Sequence, residues 1–470
     1  MKQIKYITVL LLVFFMLSCD EDFLEPAPIS AVSGEDYYRN DQELEKGVIN
    51  IYDGLQGENS TSSNDNHSTQ VEYYLTEMRS DNTRTKSQEG EAAQFESYDV
   101  QAVNGIVYDY YRSFYNVIYR ANVVIENLDN ASDANRAKFE GEAKFLRAYA
   151  YFNLVRLFGD IPLIDRVVSP LEKEVQFTRV SASSIYDFII SDLETAVVSL
   201  DNNYIPKASR AGAQALLAKV HLTLGNYTDA QVLLESVMQG GFALQSNFND
   251  VFYKERNSEI IFAIEYLPNL SDDSQNFSAE WLNAVGRTVG VNYVTTEARA
   301  ALDAMGGERT QYSYRQDVDQ PTQYQVAKYF PNGELGPDYA SDPRLAGNDW
   351  IVLRYADVLL MHVEAIMAGG SSTSAAAALS SFQKVRDRAG FTDPVTSITK
   401  QELLDERRVE LAFENQRFFD LVRFGVAQEV LSSFSVDNGY NFQSTDLLLP
   451  IPQAEIGISN GLLQQNPGYN

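Results

Sequence analysis

The sequence predicts a mainly α-helical protein, an α-α superhelix of stacked helical hairpins broken by one loop-rich insertion with short β-strands. Three observations predict it. Long segments repeat apolar residues at three- and four-residue steps, the spacing of one helical face. The stretch from Ser209 to Gln239 reads as two helices folded back about Gly225 and Asn226. The helical rhythm then stops near 240 and resumes near 349.

In chain order, residues 1–18 read as a secretion signal. Lys2 and Lys5 precede the apolar run Ile7 to Leu17, which is short for a bilayer span. Ser18-Cys19 has the form of a bacterial lipobox, and Cys19 is the predicted lipidation site; a plain secretory signal is the alternative. It is the sole cysteine, so no intramolecular disulfide forms. Residues 19–34 form a tether, and 35–470 a single domain with its helical scaffold at about 35–239 and 349–431 and its mixed insertion at about 240–348. Glu35 to Gln56 is the first predicted helix and Asn104 to Leu128 a Tyr-rich second. The third runs from Arg136 to Gly159. Phe139, Ala143, Leu146, Ala150, Leu154 and Leu157 line one face, and Phe145, Ala148, Tyr149, Phe152 and Val155 form a second stripe beside it. Two stripes predict packing from several sides. Gly159 suits a left-handed C-cap, and Pro162 prevents continuation. Ser181 to Leu200 follows, with SASS as its start signal.

In the hairpin, Ala213, Ala218 and Ala230 are small where two helices must approach. Leu224, Gly225, Tyr227 and Ala230 resemble a tetratricopeptide unit, which buries its face only against neighbours. Inside the insertion, EIIFAIEY from Glu259 to Tyr266 reads as β-strand. Helices return at Asp349 to Ala368, Ala375 to Ala389, Lys400 to Phe413 and Phe418 to Leu431.

Composition narrows the function. The formal charge is −28, which excludes nucleic acid as a partner, since binding to phosphates needs a basic footprint. His67, His221 and His362 are scattered without metal spacing, and Asp272, Asp273 and Gln275 match no calcium loop. No metal and no cofactor is expected. There is no G-x-S-x-G, no P-loop and no distinctive carboxylate pair, so the chain reads as a non-enzyme, with glycosidase the minor alternative.

Four stretches carry a family resemblance. They are EAKFLRAYAYFNLVRLFGDIPLI (Glu142 to Ile164), WIVLRYADVLLMHVEA (Trp350 to Ala365), ERRVELAFENQRFFDLVRFG (Glu406 to Gly425) and LPIPQAEIGISNGLLQQNPGY (Leu449 to Tyr469). In this order they resemble the SusD/RagB family of Bacteroidetes outer-membrane nutrient-binding lipoproteins. Asp20, Glu21 and Asp22 after Cys19 resemble the surface-export tag of such lipoproteins. The resemblance implies an α-rich body on a lipid anchor in the outer membrane, facing the exterior. It also implies a SusC-like TonB-dependent transporter as partner and capture of an oligosaccharide. An oligopeptide is the main alternative ligand, and a surface adhesin a further one.

Sugar recognition needs flat aromatic faces against pyranose C–H bonds and short polar groups for the hydroxyls. Two loop regions offer both: Tyr73, Tyr74, Arg79, Asp81, Asn82 and Arg84, and then Trp281, Asn283, Arg287 and Tyr293. Asp81 equally caps a turn, and Trp281 equally anchors its loop to the scaffold. Trp350 reads as structural. Arg354, Asp357, Glu406, Arg407, Arg408, Glu410, Arg417, Asp420 and Arg423 recur at helical steps and read as ion pairs tying helices together.

Overall fold

Helix α1, Asp41–Gln56, starts where Asn40 turns its side-chain oxygen to the Glu43 amide. That cap sets its beginning six residues after Glu35, from which periodicity alone would run it. The computed structural model describes residues 38–59, 66–85, 90–203, 205–281, 292–317, 320–330 and 342–469. The signal segment, the tether with Cys19, Asn283 and Arg287 lie outside the described residues. The fold is mainly α. The longer helices continue as α2 (Gly105–Glu126), α3 (Arg136–Phe158), α4 (Ala182–Ser199), α5 (Arg210–Leu224) and α6 (Tyr227–Met238). After the insertion, which contains α7 (Thr296–Met305), come α8 (Tyr355–Met367), α9 (Ala376–Arg388), α10 (Lys400–Glu410), α11 (Arg417–Arg423) and α12 (Ala427–Asn438). From α1 through α6 each packs on the next; α6 then packs on α8 and α8 on α9. Such nearest-neighbour stacking is what makes a superhelix.

Both stripes of α3 are buried, and so are the residues between them. It is enclosed by α2 and α4, and at Phe145 by the insertion, whose Phe262 ring meets it edge-on at 4.8 Å. Gly141 lets α4 approach, since a Cβ there would come within 2.8 Å of Leu200. The α5–α6 turn uses Gly225 at φ +77°, a left-handed position that closes the helix end onto the His221 and Leu222 carbonyls.

Two helix expectations are corrected. Trp350–Arg354 is strand, not the first turn of α8. It pairs antiparallel with Ile260–Ile264, as β6 with β2. All five β2 residues are buried, so its backbone groups need a ladder partner, and the Trp-Ile-Val-Leu run suits a pleated surface. The helix expected from Phe418 to Leu431 breaks at Gly425, φ +73°, into α11 and α12.

The ion-pair reading of the charged motif residues holds, with different partners. Arg354 does not pair with its neighbour Asp357. Its guanidinium contacts Glu259 (2.8 Å), Glu410 (2.6 Å) and Glu414 (2.6 Å), which ties the insertion to α10. Asp357 instead holds Lys219 of α5 (2.7 Å) and Arg407 of α10 (2.9 Å). Arg407 reaches Asp420 (2.9 Å), and Arg423 links Asp420 to Glu364 of α8. Among the described residues no helix is long and apolar enough to cross a membrane.

Candidate ligand-binding face

The two loop regions singled out in the sequence meet. Thr83–Thr85 (β1) and Asn292–Val294 (β3) pair antiparallel, with Thr83 opposite Val294, Arg84 opposite Tyr293 and Thr85 opposite Asn292. Side chains alternate across a strand pair. Here the outer two pairs are buried and only Arg84 and Tyr293 are half-buried, so this one cross-strand pair faces outward. The Arg84 guanidinium lies 5.7 Å from the Tyr293 ring centre. It donates to Asn438 Oδ1 (3.1 Å) and the Tyr440 hydroxyl (3.3 Å), and its Nε is 3.3 Å from Glu96. Tyr440 in turn donates to the Glu96 carboxylate. Burial raises the Tyr293 and Tyr440 hydroxyl pKa values above the usual phenol, so both remain protonated donors at neutral pH.

The other predicted residues face inward. Trp281 is 0% exposed, packed against Tyr73 (5.3 Å between ring centres), Tyr329 (5.9 Å) and Phe413 (6.1 Å). Tyr73 is buried beside it, and half-buried Tyr74 lies 4.2 Å from the Tyr73 ring centre. Arg79 is buried over the Phe418 ring at 4.2 Å and donates to the Leu75 and Asp446 carbonyls. Asp81 is clamped between Arg417 (2.8 Å) and Arg408 (2.9 Å). Burial alone would raise its pKa, but the two guanidiniums hold it well below the usual carboxylate range. Asn82 donates to Glu77 (3.2 Å) and accepts from Arg408 (3.2 Å). As folded, then, Tyr73, Arg79, Asp81, Asn82 and Trp281 are not surface contacts for a sugar. They are the packing that aims β1. The segment lacks helical period, yet it is made of short helical turns whose polar groups find partners, and such a segment can be buried.

Half-exposed groups that sequence reasoning missed surround the pair. Asn438 and Tyr440 flank Gly439, which ends α12 at φ +76°. The motif DNGY is the available signal, a turn bearing an aromatic. A second aromatic group sits on Tyr314–Gln316 (β4) and Tyr324–Val326 (β5), an antiparallel pair whose β5 lies beside β3. The Tyr314 and Tyr324 rings are 5.8 Å apart. The Arg299 guanidinium sits 3.9 Å over Tyr324, and Tyr314 donates to Asp303 at 2.5 Å. These residues lack periodicity, and only the fold gathers them.

Among the described residues no three His, Cys, Asp or Glu side chains are placed to hold a metal. What the fold presents is a helical-hairpin scaffold with loop-built tyrosines, guanidiniums and amides gathered on two short strand pairs. The class is that of superhelical binding scaffolds. The chain belongs to the SusD/RagB family. The SusD family model matches residues 281–469, and a second, SusD-like model, described as starch-binding and associating with the outer membrane, matches 22–222. The chain is 26% identical to SusD-like protein P2 of Formosa agariphila over the full length of both. It is 23% identical to the starch-binding protein SusD of Bacteroides thetaiotaomicron, covering 75% of this chain and 76% of that one. A laminarin-binding SusD-like protein of known structure superposes with a TM-score of 0.77 at 25% identity, over 92% of this chain and 100% of that one.

Proposed function

We propose that this protein is a cell-surface lipoprotein that binds an oligosaccharide without transforming it and passes it to a SusC-like TonB-dependent outer-membrane transporter. The observation that carries the reading is the outward Arg84–Tyr293 pair with Tyr440 and Asn438 around it. A half-buried tyrosine ring offers a flat face to pyranose C–H bonds. Guanidinium, phenol and amide groups supply donors and an acceptor for hydroxyls at its edge. Tyr440 and Glu96 are engaged with each other and with Arg84, which suits holding a sugar rather than cleaving it. Named relatives that bind starch and laminarin support the ligand class. Half-buried Tyr74 stays in the proposed ligand set, and Asn283 and Arg287, outside the described residues, enter it from the sequence alone. Lipidation of Cys19 would anchor the chain, with several acyl groups on one residue giving stable attachment.

A few stacked and hydrogen-bonded contacts predict Kd on the order of micromolar to millimolar. The test is calorimetric titration of the mature chain with a panel of soluble glycans and oligopeptides. Tyr293→Ala should weaken binding of the responding glycan roughly fivefold, the loss of one aromatic contact worth about 1 kcal/mol. Unchanged affinity in Tyr293→Ala and Tyr440→Ala would remove this face from the reading. Binding of peptides alone would replace the ligand class. Cys19→Ser should move the protein from the membrane to the soluble fraction.

A further inference from the structure

The β2–β6 ribbon has two faces. One joins the main core through Phe262, Trp350 and Leu353. The other, with Ile260, Ala263 and Ile351, covers a separate small core with Phe248 and Val251. Above this second core lies a cleft of about 190 Å³. Its apolar part is formed by Val251, Phe252, Ile260 and Ile351, and its polar edge carries Asp349, Glu255, Asn348 and Lys254. Asp349 Oδ1 accepts the Tyr266 amide at 3.0 Å. That is the one hydrogen bond its carboxyl makes among the described residues, so the second oxygen remains free for a ligand hydroxyl. Burial, reinforced by the like charges of Glu255 and Glu265, pushes the Asp349 pKa up to about 7, against the opposing pull of the Tyr266 amide and Arg256. Near neutral pH such a carboxyl both donates and accepts.

These features restrict the occupant. Two carboxyl groups stand on the edge, and the cation beside them, Lys254, is already paired with Asp250 (2.7 Å), so the edge disfavours an anion. A carboxyl held half-protonated, with no third acidic group placed to join it, disfavours a metal ion. The volume is below the roughly 300 Å³ at which pockets for drug-sized ligands begin. An apolar side opposite a hydroxyl-bonding edge matches a ring with one C–H face and one polar rim. We propose that this cleft is a second binding site, which takes a single neutral pyranose unit, free or at a chain end. The proposal stands on the cleft alone and is independent of the Arg84–Tyr293 face.

Saturation-transfer NMR on the mature chain at pH 7 tests it, with free D-glucose, D-galactose and D-xylose as probes and glycerol as the non-ring control. At least one sugar should receive saturation with Kd in the millimolar range, and glycerol none. Asp349→Asn keeps an oxygen for the Tyr266 amide and removes the free acceptor, so it should weaken that sugar about tenfold. Glu255→Gln, on the exposed rim, should weaken it less. Tyr293→Ala removes any signal that arises at the other face, and the signal that remains should be the part lost in Asp349→Asn, which separates this cleft from that face. Addition of an oligosaccharide ending in the same sugar distinguishes the sources: displacement of the free sugar marks chain-end binding, and its absence marks a monosaccharide site. No saturation of any sugar, or equal binding by Asp349→Asn, overturns the proposal.

Discussion

Truncating Arg354 to alanine separates a structural role from a ligand role at a charged position inside one of the four family stretches. The side chain is 1% exposed, and its fork contacts three carboxylates and the Glu410 carbonyl. Around it Arg309 pairs with Glu406 (2.6 Å) and Glu410 (2.9 Å), Arg388 with Glu259 (2.9 Å) and Glu410, and Lys328 with Glu414 (2.6 Å). Four buried cations thus face four buried carboxylates, with half-buried Arg386 at the edge on Glu406. Breaking a buried pair costs about 3 to 5 kcal/mol, mostly because a charge is left alone. Loss of Arg354 leaves none alone, since Glu259 keeps Arg388, Glu410 keeps Arg309 and Arg388, and Glu414 keeps Lys328. The cost should therefore fall near the lower end, about 3 kcal/mol, or roughly a hundredfold in the folding constant. Glu410→Ala is the sharper test. Burial alone would raise the Glu410 pKa, yet Arg388, Arg354 and Arg309 together hold it well below the carboxylate range. Removing it leaves those three guanidiniums to share the remaining carboxylates, and the cost should approach about 5 kcal/mol. Urea unfolding gives both values, and titration of the folded fraction with the responding glycan should show unchanged affinity. Wild-type stability with lost binding in Arg354→Ala would refute the structural assignment. A larger loss in Arg354→Ala than in Glu410→Ala would refute the charge accounting.

Three further outcomes follow from burial. Trp281→Ala should destabilise by about 4 kcal/mol through the cavity it leaves, with glycan affinity of the folded fraction unchanged; lost binding at full stability would return Trp281 to the ligand face. Asp81→Asn strips Arg408 and Arg417 of their shared carboxylate and should cost about 3 kcal/mol in the same unfolding assay, whereas no loss would contradict the clamp. Glu77 is buried where Asn82 and the Asn415 amide meet it, and burial raises its pKa from 4.5 to about 7. The folded state therefore holds this proton more tightly than the unfolded chain. The contribution is complete below pH 4.5 and is lost as pH rises to about 7, on the order of 3 kcal/mol across that window. Unfolding midpoints should fall over that interval and fall less in Glu77→Gln; a midpoint that rises with pH in the wild type alone would contradict the sign.

The scaffold was legible because its cause is local. The double stripe of α3, the turn at Gly225 and the three-residue step from Asp420 to Arg423 each state their neighbours within a few residues. Trp350–Arg354 was not legible. It reads as the first turn of the helix that follows it, and its pairing with Ile260–Ile264, over eighty residues away, makes it a strand. Even the ion pairs show this limit: charge spacing predicted that Arg354 would be paired, but its partners Glu259 and Glu414 are set by the fold.

The proposed ligand face sharpens the same point. Its two strands come from the regions singled out in the sequence, 73–84 and 281–293, yet composition cannot say which side of a segment faces out. Aromatic and polar residues are what a sugar site needs, and they are also what a buried turn needs. A tryptophan fills a junction, and an Asp between two guanidiniums locks it. The strand pair resolves the choice through its period of two, which leaves Arg84 and Tyr293 outward and Thr83, Thr85, Asn292 and Val294 inward. A shift of one residue in that register would bury Arg84 and Tyr293 and expose the flanking residues. The inner packing of Tyr73, Asp81 and Trp281 is therefore the means by which the scaffold fixes what the face presents. Changes at those three positions should alter stability first, whereas changes at Arg84, Tyr293, Asn438 and Tyr440 should alter recognition with the fold intact.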